Sequence, residues 1–373
     1  SCPTHVRRSA RSGGWLMVSV LVAMSGGVDS AVAAALLVDA GHDVTGVHLK
    51  LAEVPLAEQV PGQGCCTLDD AQDARRAAQV LGIDFYVWDM GDLFRREVQQ
   101  PFADAYAAGL TPNPCVTCNE KVKYAALHDR AMTLGFDALA TGHHARVRAR
   151  GGELVLLRGL DHAKDQSYVL YMARAEQLAT TLLPVGEHTK DEVRGIAAAR
   201  GLRMAAKPDS HDVCFIPSGD TARWLRERVP ARPGPIVDLD GLQLGEHDGA
   251  WQFTIGQRRG LGLGTHERRF VVDVDPSSAT VVVGPRDALA CAWARLDDPT
   301  WIGGRPPTLR DVTAQVRAHG RPVPAVIEDN VVSFAEPVHG LACGQSVVLY
   351  DREVCLGGGR VAAADRPALP ISP

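Results

Sequence analysis

The sequence predicts an α/β chain: a parallel sheet wrapped by helices, then a small β-rich region, then a β-barrel or sandwich. Three observations carry this. Residues 18–142 alternate apolar strand runs with helical patterns, which implies a parallel sheet covered on both faces. Beyond residue 235 the texture changes to short strands separated by Gly, Pro and Asp. The first apolar run passes directly into the turn Ser25-Gly26-Gly27-Val28-Asp29-Ser30, which opens a helix.

The elements follow in order. Residues 18–24 form a buried strand and 31–40 a helix. Residues 44–49 are a second buried strand. Thr67 and Asp70 give a capping-box-like start to a helix that stops at Gly82. Residues 83–88 are a strand, 119–134 a helix ending at Gly135, and 137–141 a strand running into Gly142-His143-His144. Residues 145–158 read as a hairpin around Arg150-Gly151-Gly152. Helices are expected over 166–180 and 190–200, the second opened by Thr189-Lys190-Asp191-Glu192. The chain is Pro- and Arg-rich near 220–235. Short strands are expected at 270–274, 280–283, 331–334 and 346–350.

Composition bounds the reading. The 373 residues suit two or three domains. Apolar content of 46% and charged content of 22% are those of a soluble globular protein. The run 15–24 is too short to span a bilayer and lacks a secretory cleavage site, so the expected location is the cytoplasm, with no membrane partner. Residues 1–16 read as an unstructured leader, with Met17 a candidate start. Nine cysteines without a signal peptide point to reduced thiols used for chemistry or metal. A net charge of −5 does not itself suggest nucleic acid; such a partner needs a local basic patch.

The Ser25 turn has the makings of an anion cradle. Backbone N–H groups at a helix start point outward, and the helix dipole favours negative charge there. Ser25 and Ser30 add hydroxyls. A Walker loop is excluded because no Lys follows, and the spacing of a dinucleotide fingerprint is absent. This string resembles the signature of the PP-loop ATP pyrophosphatases, which implies ATP cleavage to AMP and pyrophosphate.

A second site lies at Thr111 to Lys121. Two prolines fix an extended loop, after which Cys118 and Asn119 are expected to open a helix. A thiol at a helix N-terminus gains thiolate character, helped by Lys121 and Lys123, so Cys118 is a candidate nucleophile. Cys115-x-x-Cys118 also has zinc or redox spacing, but the chain holds no second such pair. The third site is Pro208 to Ile216, where Cys214 follows a polar cluster. Lys164 to Tyr168 is a polar helix start, and Gly142-His143 ends a strand at the ligand-binding edge. Cys65-Cys66 precede a helix and have no assigned role. Cys2, Cys291, Cys343 and Cys355 read as incidental or core, and Gly357 to Gly359 as a turn.

These motifs, together with Phe253 to Arg258, resemble those of the tRNA-specific 2-thiouridylases, in the same order over residues 18 to about 360. The resemblance implies three domains: a parallel-sheet PP-loop domain (17–218), a small central domain (219–290) and a C-terminal barrel (291–365). It implies transfer of sulfur to C2 of the wobble uridine of tRNA, an RNA-binding transferase activity. Ala23, Met24, Ser25, Gly26, Gly27, Val28, Asp29 and Ser30 would hold the ATP phosphates with Mg²⁺, and Leu49 and Gly142 would border the nucleotide. Asn113, Pro114 and Cys115 would face the target base. His143, Lys164, Asp165, Gln166 and Gln345 would contact tRNA, and the basic set Arg258-Arg259, Arg268-Arg269, Arg317, His319 and Arg321 would supply local positive surface. Cys118 would be the nucleophile and Cys214 the persulfide carrier, joined transiently as a disulfide. A persulfide donor protein, a cysteine desulfurase or relay, and a reductant are implied partners. Cys115 departs from the family, many members of which have Asp there; with Cys118 and Cys214 it offers three possible ligands for an iron–sulfur cluster. A different adenylating PP-loop enzyme and a metal or redox module are the other expectations.

Overall fold

A computed structural model describes residues 17–51, 68–207, 213–216, 219–264, 267–307 and 311–365. The leader, Cys2, Cys65-Cys66, Thr67 and the cluster Pro208 to Asp212 lie outside these residues.

Strands β1 (Ser19–Ala23), β2 (Asp43–Lys50), β3 (Asp84–Asp89) and β4 (Ala138–Thr141) build the first sheet. A hairpin, β5 (Ala145–Arg150) and β6 (Glu153–Arg158), then leaves it. The short β7 (Thr181–Leu182) returns to its edge. The order is β3-β2-β1-β4-β7, and every pairing is parallel. The strand order reverses beside β1, which places a crevice at the carboxyl ends of β1 and β4.

Strand periodicity sends successive β1 side chains to opposite faces. Val20 and Val22 enter a core with α1 (Val28–Asp39) and α2 (Leu68–Leu81). Leu21 enters a second core on the other face. That core is built by a continuous helix comprising α3 (Gly91–Phe94), a π-helical turn (Arg95–Gln99) and α4 (Gln100–Ala107). A second continuous helix joins it: α5 (Pro114–Thr117), a π-helical stretch (Cys118–Leu127) and α6 (His128–Thr133).

The single helix expected over 166–180 is instead a 3-10 turn (Ser167–Leu170) and a short α7 (Ala175–Ala179). Between them Tyr171, Met172 and Ala173 are buried, and a regular helix would turn part of such a run toward water. Helix α8 (Lys190–Ala199) starts as its sequence implies. The Thr189 hydroxyl accepts the Glu192 N–H, and the Glu192 carboxylate accepts the Thr189 N–H at 2.7 Å. Helix α9 (Thr221–Arg226) occupies the Arg-rich stretch.

A small sheet follows, ordered β10-β11-β8-β9, from β8 (Gly234–Val237), β9 (Gln243–His247), β10 (Phe270–Asp275) and β11 (Thr280–Gly284). The last strands are β12 (Ala290–Trp301), β13 (Val312–Gln315), β14 (Val323–Glu328), β15 (Val331–His339), β16 (Ser346–Asp351) and β17 (Val354–Ala364). They run β12-β15-β14-β13-β16-β17, and β12 pairs with β17 to close a barrel. Leu296, Ala314, Val332, Val347 and Leu349 fill its interior. The early hairpin joins this barrel sheet: Leu156 and Leu157 of β6 pair antiparallel with Cys355 and Val354 of β17. No described helix is long and apolar enough to cross a membrane.

Candidate active site

The Ser25 turn sits in the crevice. Gly26 has φ +82°, and a Cβ there would lie 2.3 Å from the Asp70 carbonyl oxygen. The Ser30 hydroxyl donates to the Gly27 carbonyl (3.1 Å) and accepts the Ser25 N–H (3.1 Å). It therefore shapes the loop from inside, while Ser25 stays exposed. No side chain caps α1 at Gly27. The first N–H groups of a helix have no partner within it, so an uncapped start suits a phosphate. Ala23, Met24 and Val28 set the loop from beneath, Met24 and Val28 fully buried, and Leu49 closes the end of β2 in the second core.

Gly142 follows β4 and meets this loop. A Cβ on it would fall 2.5 Å from the Ser30 nitrogen and 2.7 Å from the Asp29 carbonyl carbon. Backbone atoms cannot yield as a flexible side chain can. Gly142→Ala should cost about 1–3 kcal/mol and weaken ATP binding at least about tenfold; calorimetric titration with ATP measures it, and wild-type affinity would refute the packing argument.

Three basic side chains that sequence reasoning passed over hold the loop. Lys190 donates to both Asp29 carboxylate oxygens at 2.8 Å, and His144 Nε2 lies 3.1 Å from Asp29 Oδ1. Burial raises the Asp29 pKa, but the His144 and Lys190 hydrogen bonds outweigh it and leave the carboxyl below its ordinary value. Lys207 binds Asp70 (2.7 Å), Asp73 (3.1 Å) and the Gly26 carbonyl (3.4 Å). Desolvation opposes its charge, yet the two carboxylates hold its pKa up. Lys207 thus ties the end of the 3-10 turn Arg203–Ala206 against the loop.

The Cys118 helix begins one turn earlier than its sequence suggested. Asn113 is the N-cap: its Oδ1 accepts the N–H groups of Cys115 (3.0 Å) and Val116 (3.4 Å). Pro114 takes the first helical position, where a missing N–H costs nothing. The exposed Cys115 therefore lies in the first turn, nearest the positive end of the dipole. Cys118, 7% exposed, lies in the next turn, where the π-helical stretch starts. Asn119 Nδ2 ties this helix to the Val169 carbonyl at 2.8 Å.

Cys118 and the half-buried Cys214 border one apolar core. Phe215 anchors the Cys214 segment edge-on to Phe94 (5.6 Å) and Phe102 (5.5 Å), and at 5.1 Å from Trp224. Among the described residues no three His, Cys, Asp or Glu side chains gather at metal-binding range.

His143 is buried beside Thr141 (Nδ1 to Oγ1, 2.7 Å) and Lys123 (Nε2 to Nζ, 3.4 Å). An ammonium only donates, so Nε2 accepts and Nδ1–H donates to Thr141. Burial, then the charges of Lys123 and His144, push its pKa well below the ordinary 6.5. The sign follows: below about pH 6.5 the unfolded chain binds a proton that the folded His143 refuses, so stability falls with acidification. His143→Asn should lose less stability than wild type between pH 7.5 and 5.5, by about 1 kcal/mol in urea melts.

The polar helix start expected at Lys164 to Tyr168 is a turn that leads into the 3-10 turn Ser167–Leu170. Asp165 is buried; its carboxylate accepts from Arg158 (2.7 Å), the Gly159 N–H (3.1 Å) and Ser167. It was expected to touch RNA, but its oxygens are committed inside the fold, where they set the flanking half-buried Lys164 and Gln166. Arg258, Arg259 and Arg268 are exposed, and Arg258 and Arg268 line a cleft of about 330 Å³ with Arg269, which pairs with Glu267 at 2.8 Å. Exposed Arg317 donates to the His339 and Gly340 carbonyls, with His319 and Arg321 exposed nearby in the chain. Gln345 is half-buried and accepts the Ala342 N–H at 3.1 Å.

Three family models match the chain: a tRNA methyl transferase HUP domain over 18–218, a tRNA methyl transferase PRC-barrel domain over 222–285, and an aminomethyltransferase beta-barrel domain over 293–361. The tRNA-specific 2-thiouridylase MnmA of Frankia casuarinae is 54% identical over 353 residues, spanning 92% of this chain and 98% of its own. That of Acidothermus cellulolyticus is 53% identical over 358 residues, spanning 94% and 99%. A solved 4-thiouridine synthetase–RNA complex with bound ATP aligns over 58% of this chain and 53% of its own, at 19% identity and a TM-score of 0.37.

Proposed function

Because this chain belongs to the tRNA-specific 2-thiouridylase family, and is thus a tRNA sulfurtransferase that activates its substrate with ATP, we propose that it thiolates C2 of the wobble uridine at position 34 through a cysteine persulfide. The observation that carries this reading is that the phosphate loop and the two cysteines are built on one strand's surroundings. The loop follows the carboxyl end of β1, and Cys118 and Cys214 both border the apolar core that Leu21 of β1 enters.

The C2 oxygen of uridine is a poor leaving group. It attacks the α-phosphate of ATP and expels pyrophosphate, whose charge the uncapped start of α1 accommodates; Mg²⁺, when bound, would supply further positive charge there. Asn113, Pro114 and Cys115 face the flipped base. Cys214 carries a persulfide from a donor protein, and its terminal sulfur attacks C2. The C2–O bond breaks and AMP departs. The Cys118 thiolate then attacks Cys214 Sγ, breaking the persulfide S–S bond. The base keeps the terminal sulfur, and a Cys118–Cys214 disulfide remains. An external dithiol reduces that disulfide by two electrons. Cys118 is buried and Cys214 half-buried against this apolar, aromatic core.

RNA is held by local basic surface on a chain of net charge −5, so its affinity should fall steeply with salt. The test of the whole reading is mass spectrometry of tRNA nucleosides after reaction with ATP, tRNA and a persulfide donor. Wobble 2-thiouridine is the expected product; unmodified uridine would sink the reading.

A further inference from the structure

We infer that His144 is a positioning residue that couples RNA binding at the Lys164 to Gln166 turn to ATP binding at the Ser25 loop. The inference rests on the functional reading above.

A short, continuous set of hydrogen bonds joins the two places. The Gln166 N–H donates to the His144 carbonyl at 2.9 Å, and Gln166 Oε1 accepts the His144 N–H at 2.9 Å. This reciprocal pair fixes the His144 backbone to the turn. The His144 side chain, 2% exposed, then reaches Asp29 through Nε2. A second leg runs in parallel. Asp161 accepts the Lys190 N–H (3.0 Å) and the Ala163 N–H (3.1 Å), and its carbonyl accepts the Lys164 N–H (3.0 Å). The Lys190 ammonium grips both oxygens of Asp29. Asp29 is thus held from two sides by the segment that carries the turn.

The far side of the turn is anchored in the barrel. Arg158, the partner of Asp165, also donates to Gln315 Oε1 (2.9 Å) and stacks 3.6 Å from the Tyr350 ring centre. With its base fixed, the turn is held to Asp29 through His144 and, in parallel, through Asp161 and Lys190. Gly142 adds rigidity, because its backbone already touches Asp29 and Ser30. Coupling through packed, hydrogen-bonded groups is reciprocal: RNA tightens ATP by the factor with which ATP tightens RNA.

The test measures the Kd of a non-hydrolysable ATP analogue with and without saturating tRNA. The wild type should bind the analogue at least about fivefold tighter with tRNA. His144→Phe keeps the ring and removes Nε2–H; its ratio should fall below about twofold. His144→Gln, which returns a donor near the Nε2 position, should restore most of the ratio. Gln166→Leu breaks the link at a half-buried site and should reproduce His144→Phe should that variant fold poorly. A wild-type ratio of one, or an unchanged ratio in His144→Phe or Gln166→Leu, overturns the inference. So does a uniform loss of ATP affinity that His144→Gln fails to rescue. Product analysis of the same protein in a parallel reaction with ATP, tRNA and a persulfide donor separates the two readings: 2-thiouridine without coupling removes only this inference, whereas absence of product removes the functional reading and this inference with it.

Discussion

Cys214→Ser will reduce tRNA thiolation by roughly a thousandfold or more while ATP and tRNA still bind. A hydroxyl cannot carry a transferable sulfur, so no persulfide forms and the adenylated base is left to water. The variant is nearly isosteric, and Phe215 keeps its three aromatic contacts, so the fold should hold. Cys118→Ser differs in kind. It should still accept sulfur on Cys214 but stall with the base joined to Cys214 through two sulfurs, an adduct that reductant releases. Trapping that adduct by mass spectrometry under non-reducing conditions separates the two roles. Wild-type thiolation by Cys214→Ser would end the persulfide account. Cys115→Ser tests the remaining thiol of the loop: if Cys118 and Cys214 suffice, its thiolation should stay within a few-fold of wild type.

Arg158→Ala should destabilise the protein by about 3–5 kcal/mol, the cost of stranding a buried carboxylate. Arg158 and Asp165 side chains are 9% and 4% exposed, so solvent cannot take over the lost charge. The same change strips Gln315 of its donor and Tyr350 of a stacked guanidinium. Lysine is a poor substitute, because an ammonium has neither the planar fork nor the stacking face. Urea denaturation at neutral pH reads the loss. Pairing Arg158→Met with Asp165→Asn should recover much of it, since Asn removes the stranded charge while its Oδ1 still accepts the Gly159 and Ser167 N–H groups. A single variant as stable as wild type would show that this network does not join the barrel to the sheet domain.

The strands and helices of the sheet domain were legible because each has its own local signal: apolar runs, a capping box at Thr189, a glycine turn at Gly26. The start of the Cys118 helix was missed because proline suggested a loop, although Asn113-Pro114 is an N-cap followed by its favoured first residue. Lys190 and His144 were invisible for another reason. Their bonds to Asp29 span 161 and 115 residues, and no local pattern encodes a partner at that distance. Asp165 looked like a surface residue because its burial depends on Gln315 and Tyr350 of the barrel. The two candidate cysteines stood out by motif, but their common apolar wall did not, because it is assembled from Phe94 and Phe102 on one helix and Trp224 on another, far along the chain.

The hairpin that joins the barrel sets a timetable for synthesis. Arg146 finds its partner Glu353 only 207 residues later. At roughly 5–20 residues per second, a ribosome takes about 10–40 s to deliver that partner. During this interval β6 is a sheet edge without its neighbour, and Arg158 and Asp165 lack the barrel groups that cover them. The nascent sheet domain therefore cannot complete its Lys164 turn ahead of the barrel, and a chain truncated before β17 would be left with an exposed strand that invites aggregation.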